Sequence, residues 1–473
     1  MDVVSRALGQ CDDVIVVCDG CTDDTMSLLN AMPVKPVIIE LEVNQGKGTA
    51  LKTGFRYALD AGFAYAITLD GDGQHFPEDI PVMLEANRRH PGALIVGERK
   101  NLENVERSKG SSFANSFSNF WFAVQTGQYL KDTQTGYRLY PLKKLRGLSL
   151  LTSRYEAELE LMVFASWHGV KLVSEPVNVY YPPREERVSH FRPGKDFARI
   201  TVLNAVLCFL AVVYGLPLTV FRGLMTLLRT VYALVFFMFT TLFLMTPLVH
   251  IYLLFGKITE KKKYNLHRIL NFMAKFVICY HKIPGVRYTQ KNNSGEDFTK
   301  PAVIICNHQS HLDLAPLLAL TPKVIVLTAD WVWNNPVYRF TIRNAEFLPA
   351  SSGVDAIMPQ LRSLVERGYS IAVYPEGTRS MDCSLGRFRQ GAFHVAQTLG
   401  IDVLPVVIYG TGKALKKRGR LLRKWPVHME IDRRITPEEM KSMGETTRQQ
   451  ASQMRKYYQK RYTEIADRIE QDV

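Results

Sequence analysis

Four short apolar runs, residues 14–17, 37–41, 65–69 and 93–96, alternate with amphipathic stretches such as 47–61 over the first 200 positions. Runs of this length predict buried strands, and their alternation with helical periodicity predicts an α/β unit with a mostly parallel sheet. The pattern then changes. Residues 200–221 and 231–255 contain no Asp, Glu, Lys or Arg, and either is long enough to cross about 30 Å of hydrocarbon. Phe236, Phe237, Phe239, Phe243 and Leu244 make the second the stronger span, whereas Asn204, Gly215 and Pro217 also suit the first to an interfacial position. From residue 264 a second α/β pattern begins: an amphipathic helix over 264–280, then strand-like runs at 303–306, 324–327, 371–374 and 403–408. Thr436-Pro437-Glu438-Glu439 carries a capping hydroxyl, a first-turn proline and early carboxylates, the signals of a helix start. The tail beyond it is expected to be a polar, solvated helix.

Charge divides the chain in the same place. Residues 1–200 hold 23 Lys and Arg against 25 Asp and Glu; residues 201–473 hold 36 against 20. A basic excess beside apolar segments favours an anionic membrane over nucleic acid as partner. Lys257, Lys261, Lys262 and Lys263 directly follow the second apolar segment and predict a cytoplasmic anchor. Lys413, Lys416, Lys417, Arg418, Arg420, Arg423 and Lys424 cluster without an intervening acid, beside Trp425, and are expected to meet membrane phosphate. The seven cysteines are scattered, and the one C-x-x-C, Cys18 and Cys21, has no second pair to build a zinc site, so reduced cytosolic thiols are expected. Residues 1–13 lack the basic, apolar, small-residue order of a secretory signal.

Candidate chemistry in the first half centres on Asp70-Gly71-Asp72-Gly73, directly after the run 65–69. Two carboxylates at i and i+2 at a strand end can share a divalent ion, and the glycines let a diphosphate approach it. Around it, residues 14–25 read VIVVCDGCTDDT, 44–51 NQGKGTAL, 132–138 DTQTGYR, 156–161 EAELEL and 189–196 SHFRPGKD. In this order and spacing the set resembles family 2 glycosyltransferases of the GT-A fold, especially the dolichyl-phosphate-mannose-synthase-like branch, over roughly residues 10–215. The resemblance implies a nucleotide-sugar donor, Mg²⁺ or Mn²⁺, and an acceptor presented at the membrane. It implies that Asp19 contacts the nucleoside with Lys47 nearby, that Asp70 and Asp72 serve the metal and diphosphate, and that either Asp132 or Glu158 is the base. Arg192 and Lys195 are equally compatible with holding phosphate or with a solvated basic loop. Two departures stand out: the family's opening V-x-I-P-x-Y/F-N-E-like strand has no counterpart, so a truncated GT-A fold is expected, and the usual Asp-Asp-Gly reads Cys18-Asp19-Gly20.

In the second half, residues 307–313 read NHQSHLD after the run 303–306. His308 and Asp313 form an H-x4-D pair in which the carboxylate would fix the imidazole tautomer while the imidazole removes a hydroxyl proton. Residues 374–380, YPEGTRS, follow another strand-like run, then 387–392, RFRQGA, and 403–408, VLPVVI. These blocks resemble the glycerolipid and lysophospholipid acyltransferases over about residues 230–435. The resemblance implies His308 as general base oriented by Asp313, and direct attack of an acceptor hydroxyl on the thioester of acyl-CoA or acyl-carrier protein without a cofactor. It further implies acceptor binding by Glu376, Gly377, Thr378 and Arg379, with Arg389 and Gly391 at the entrance and Pro405 shaping the last wall. The family's G-x-I-F/P-I-x-R-like run corresponds to RNAEFLPASS at 343–352, which lacks the arginine that contacts acceptor phosphate.

The expected organisation is therefore a glycosyltransferase-like domain over 1–198, membrane-associated helices over 199–256, an acyltransferase domain over 257–435 and a polar C-terminal helix over 436–473. The expected function is acyl transfer to a lipid or glycolipid hydroxyl, fused to sugar transfer from a nucleotide-sugar, in (glyco)lipid biosynthesis. An acyltransferase with a degenerate sugar domain as docking scaffold is the alternative. Both donors are cytosolic, so both domains are expected to face the cytoplasm at the cell (inner) membrane. Two crossings joined by a tight hairpin over 222–229, or two segments lying in the cytosolic leaflet, satisfy that condition.

Overall fold

A computed structural model describes residues 2–100, 109–180, 193–281 and 283–470. The chain separates into two compact units, residues 1–223 with the last four residues, and residues 224–469.

The first unit is α/β, as its apolar pattern predicts. β1 (Ile15–Asp19) pairs in parallel with β2 (Val37–Leu41). A second sheet has the order β3-β5-β4-β6, formed by β3 (Tyr65–Thr68), β4 (Leu94–Arg99), β5 (Arg138–Pro141) and β6 (Leu172–Val177). The expected mostly parallel sheet is mixed here: β5 runs antiparallel to both β3 and β4, and only β4 and β6 are parallel. The reversal matters for the site. Register pairs Thr68 with Arg138, so the residues just before β5 arrive beside the end of β3, where Asp70 stands.

The second unit is built on seven strands in the order β10-β9-β11-β8-β12-β13-β7. These are β7 (Tyr288–Asn292), β8 (Val303–Cys306), β9 (Val324–Thr328), β10 (Leu348–Pro349), β11 (Ser370–Val373), β12 (Val403–Tyr409) and β13 (Val427–Ile431). All pairs are parallel except β12 with β13. β8 and β12 are buried at every residue, as uninterrupted apolar runs in a two-sided sheet must be. β8 lies at the middle of the order, so the block that follows it emerges at the centre of the sheet's edge.

Two expectations about helices are corrected. No hairpin interrupts the apolar region: Ala198–Leu254 is helical throughout, and Leu216–Met238 passes through Arg222 and Arg229 without a turn. The intervening sequence, FRGLMTLLRTV, is dominated by good helix formers and has one glycine and no proline. The breaks that occur are π-helical turns at Ala211–Gly215 and Phe239–Met245, each ending two residues before a proline, Pro217 and Pro247. A proline has no N–H and its ring crowds the carbonyl four residues back, and a widened turn relieves that conflict.

The C-terminal helix is not solvated. Thr436 caps Pro437–Ser442 through a reciprocal bond with Glu439, as the sequence signals. Thr447–Glu470 then docks on the sheet through Gln450, Ala451, Met454, Tyr458 and Ile465, all buried. The Tyr458 hydroxyl accepts from the Val406 N–H at 3.1 Å and donates to the Ile305 carbonyl at 2.5 Å, bridging β12 and β8. Arg461 binds Glu430 at 2.6 Å and Asp432 at 3.0 Å, both carboxylates at or just beyond the end of β13.

Candidate active sites

In the second unit the block after β8 is organised by one carboxylate. Asp313 Oδ2 accepts from His308 Nδ1 at 2.8 Å and from the backbone N–H groups of Gln309 at 2.7 Å and Ser310 at 2.8 Å. Ser310 and Asp313 also cap the short turn His311–Asp313 reciprocally. The carboxylate is fully buried, while the imidazole is partly open and stacks on Tyr374 with centroids 4.1 Å apart. Nδ1 is committed to Asp313, which leaves Nε2 without a partner among the described residues. Asn307 fixes the strand end by exchanging two bonds of 2.8 Å with the Ile408 backbone.

The residues after β11 close on this block. Glu376 accepts from the His308 N–H through Oε1 and from the Gly386 N–H through Oε2, both at 2.9 Å. Burial pushes the Glu376 carboxyl up while these amides oppose it. With both oxygens so engaged, Glu376 ties the two blocks together rather than offering an open ligand for an acceptor. Gly377 has φ +68°, and a Cβ there would meet the Arg389 guanidinium at 2.8 Å, so glycine is required for the approach. Lys417 donates to Thr378 Oγ1 at 3.0 Å. Beside Glu376 opens a cavity of about 1160 Å³ lined by Thr378, Arg379, Arg387, Arg389, Arg448 and Arg455 among others. Gly391 begins the helix Gly391–Leu399, and Pro405 lies within β12.

In the first unit, Asp19 and Lys47 meet different partners. Asp19 accepts the N–H groups of Gln45 and Gly46, each at 2.7 Å, and so holds the loop that opens the helix Lys47–Asp60. Lys47 Nζ reaches Asp70 at 2.6 Å and Glu158 at 3.1 Å. Burial pulls the Lys47 ammonium down, but Glu158 and Asp70 outweigh it and hold its pKa raised. Burial likewise raises Asp70, and Lys47 outweighs it to leave the carboxyl lowered. A Cβ on Gly136 would lie 2.3 Å from Asp70 Oδ2, so the antiparallel β5 brings its leading glycine directly against that carboxylate. Asp72 is exposed and accepts from the Gln74 N–H at 3.0 Å.

The two candidate bases separate clearly. Asp132 is buried and held in a fork by Arg99, at 2.5 and 2.9 Å. Glu158 shares Lys47 with Asp70 and contacts buried Arg138 at 3.8 Å. Arg192 and the side chain of Lys195 lie outside the described residues. Arg99, Gly386 and Arg455 carry no signal in local sequence, because each gains its meaning from a partner far along the chain; Arg138 and Tyr374 stand inside the quoted blocks, but their contacts with Glu158 and His308 show only in the fold. Among the described residues no three His, Cys, Asp or Glu side chains gather to hold a metal. Asp70 and Asp72 form a two-carboxylate donor set, chemically suited to a hard divalent ion that takes its other oxygens from a diphosphate.

Family comparisons agree with this division. The model of glycosyl transferase family 2 matches residues 2–142, and the acyltransferase model matches residues 285–409. The first part of the chain thus matches glycosyl transferase family 2 and its second part the acyltransferase family, both families of transferases. It is 35% identical over 120 residues to the chloroplastic 1-acyl-sn-glycerol-3-phosphate acyltransferase of Arabidopsis thaliana, covering 24% of this chain and 33% of that one, so it spans about a third of that relative's length. It is 27% identical over 191 residues to a UDP-N-acetylglucosamine–dolichyl-phosphate N-acetylglucosaminyltransferase of Methanococcus voltae, covering 36% of this chain and 75% of that one. The crystal structure of the 1-acyl-sn-glycerophosphate acyltransferase from Thermotoga maritima aligns with a TM-score of 0.43 at 19% identity, over 52% of this chain and 97% of that one.

Proposed function

We propose that the protein modifies lipids at the cytoplasmic face of the cell (inner) membrane. Its second unit moves an acyl group from acyl-CoA or acyl-carrier protein to a lipid or glycolipid hydroxyl. The observation that carries this reading is the His308–Asp313 pair with Nε2 left open. In the reaction, Nε2 takes the acceptor's hydroxyl proton as its oxygen attacks the thioester carbonyl. Asp313 stabilises the imidazolium, the C–S bond breaks, and the proton passes from His308 to the leaving thiolate. The cavity beside Glu376 suits a substrate that carries phosphate through Arg379, Arg387, Arg389 and Arg448, while Arg455 at its wall is turned to the Gly386 and Leu385 carbonyls. His308→Ala is expected to lower acyl transfer by at least the roughly 10²–10⁴-fold of a single general base. Retention of more than about a tenth of the wild-type rate, measured on the purified protein, overturns the assignment.

The first unit, in this proposal, transfers sugar from a nucleotide-sugar to a lipid-borne acceptor. A divalent ion, Mg²⁺ or Mn²⁺, held by Asp70 and Asp72 would supply neutralisation of the diphosphate. Lys47 draws Asp70 and Glu158 to one ammonium, and Glu158, in contact with that cluster, is the favoured base over the Arg99-bound Asp132. Asp72→Asn is expected to remove divalent-dependent sugar transfer or nucleotide-sugar hydrolysis. Wild-type turnover that ignores chelation overturns the metal reading, and no turnover at all supports a scaffold role for this unit.

Membrane association rests on the helix from Leu224 onward, which touches its own unit at separate points and is otherwise largely exposed. Thr230 Oγ1 accepts from the Leu422 N–H at 2.9 Å, Phe236 stacks on His281, His250 stacks on Phe340 at 4.1 Å, and Val249 and Leu253 enter the core. The other face leaves Leu228, Val231, Leu234, Val235, Phe239 and Phe243 exposed. Repeated contacts with the unit beside exposed apolar side chains favour lying in one leaflet over crossing. The Leu422 bond also places the basic loop, with Lys416, Arg418, Arg420, Arg423 and Lys424 exposed, beside that apolar face, a disposition suited to anionic headgroups.

A further inference from the structure

The helix Thr447–Glu470 lies outside the residues matched by the acyltransferase family, yet it reaches the active site. We propose that Arg455 is a positioning residue for acyl transfer, holding His308 in place through Gly386 and Glu376. The inference rests on the reading of His308 as the base.

The connection is continuous. Arg455 donates from Nε to the Gly386 carbonyl at 2.9 Å and from Nη2 to the Leu385 carbonyl at 3.2 Å. One planar guanidinium therefore fixes two successive peptide units. The Gly386 N–H donates to Glu376 Oε2 at 2.9 Å, and Glu376 Oε1 accepts from the His308 N–H at 2.9 Å. His308 in turn meets Asp313 at 2.8 Å. Arg455 has no carboxylate partner among the described residues, so its hydrogen bonds go to this loop rather than to a surface ion pair. The helix is itself anchored at the same strand end. Tyr458 binds the carbonyl of Ile305, and Tyr462 donates to Gln309 Oε1 at 3.1 Å, next to the base. Without Arg455, residues 385–386 lose a cationic clamp from the helix, and the buried Glu376 carboxylate loses a fixed donor. The His308 backbone then shifts relative to any bound thioester, and displacements on the order of 1 Å are costly to the chemical step.

The test uses the full chain in vesicles, with a lysophospholipid acceptor and whichever long-chain acyl thioester the wild type accepts. Arg455→Met is expected to lower kcat about 10²-fold while both KM values stay within about twofold. Arg455→Lys is expected to recover part of the rate, since an ammonium can bind one of the two carbonyls. The acid limb of the kcat–pH profile should move in Arg455→Met, which a purely structural residue would leave in place. Gly386→Ala presses on the same relay from the opposite side, because its Cβ would meet Glu376 Oε2 at 3.0 Å, and it is expected to reproduce the kcat loss. A folded Arg455→Met with near wild-type kcat, or with its whole loss in KM, overturns the proposal. If Arg455→Met does not fold, wild-type kcat in Gly386→Ala overturns it. An active His308→Ala sinks the base reading instead, whereas an inactive His308→Ala beside an unaffected Arg455→Met sinks the relay alone.

Discussion

Two histidines of the acyltransferase unit differ in what surrounds their rings. His308 is partly open and sits against the Asp313 carboxylate. His267 is buried between Tyr369 and Phe347, with centroids 5.0 and 5.9 Å away. Burial pushes its pKa down to about 4. An unfolded chain binds that proton near pH 6.5, so between about 6.5 and 4 the unfolded state holds more protons than the folded one. Stability therefore rises with pH across this window, is complete above it, and falls by up to roughly 3 kcal/mol on acidification through it. The denaturant midpoint of this unit is expected to decline from pH 6.5 to 4.5, and His267→Gln, which keeps a donor but does not titrate, is expected to flatten the decline. An unchanged slope in His267→Gln assigns the acid sensitivity elsewhere. Of the site residues, His308 and Asp313 are legible in sequence because a single turn of chain joins them. Glu376 is legible as a site residue, but its bonds to His308 and Gly386 depend on how β8 and β11 pair.

At the scale of elements, apolar runs located the strands well, but the burial expected of them holds for β4, β8 and β12 and not for β1, β2 and β3, which are only partly covered. β7, with its polar Thr289, Gln290 and Lys291, and β13, with His428 and Glu430, gave no such signal; they take strand form from their neighbours in the sheet. The C-terminal helix escaped for a related reason. Its buried stripe, Ala451, Met454, Tyr458 and Ile465, is one residue wide on an otherwise charged helix, and average polarity conceals a stripe that narrow. Its docking also depends on Glu430 and Asp432, carboxylates whose pairing with Arg461 is invisible until β13 is placed. The hairpin expectation failed on the opposite error: two apolar segments were separated at arginines that a helix carries without interruption. β5 shows how much an unexpected strand direction can matter, because its antiparallel course is what sets Gly136 against Asp70.

At the scale of the whole molecule, the basic excess of residues 201–473 and the continuous apolar helix act on the same question, how the acyltransferase unit meets lipid. A span needs about 20 predominantly apolar residues and need not pack on a catalytic unit. From Arg229 to Leu253 this helix instead meets its own unit repeatedly: Arg229 packs on Gly285, Thr230 binds Leu422, and Val249 and Leu253 are buried. Exposed residues on the free face, Leu228, Phe243 and Leu254, sample its length. A genetically encoded fluorescent residue at each of these three positions, in anionic vesicles containing spin labels at shallow or deep positions on the lipid, reports depth directly. All three are expected to be quenched more strongly by the shallow label and to a similar extent, as for a helix lying along one leaflet. A crossing helix would place position 243 deepest and positions 228 and 254 near opposite faces, and that result would overturn the one-leaflet arrangement. With the helix in one leaflet, the proposed base His308 would take the proposed lipid hydroxyl from the surface on which the unit rests.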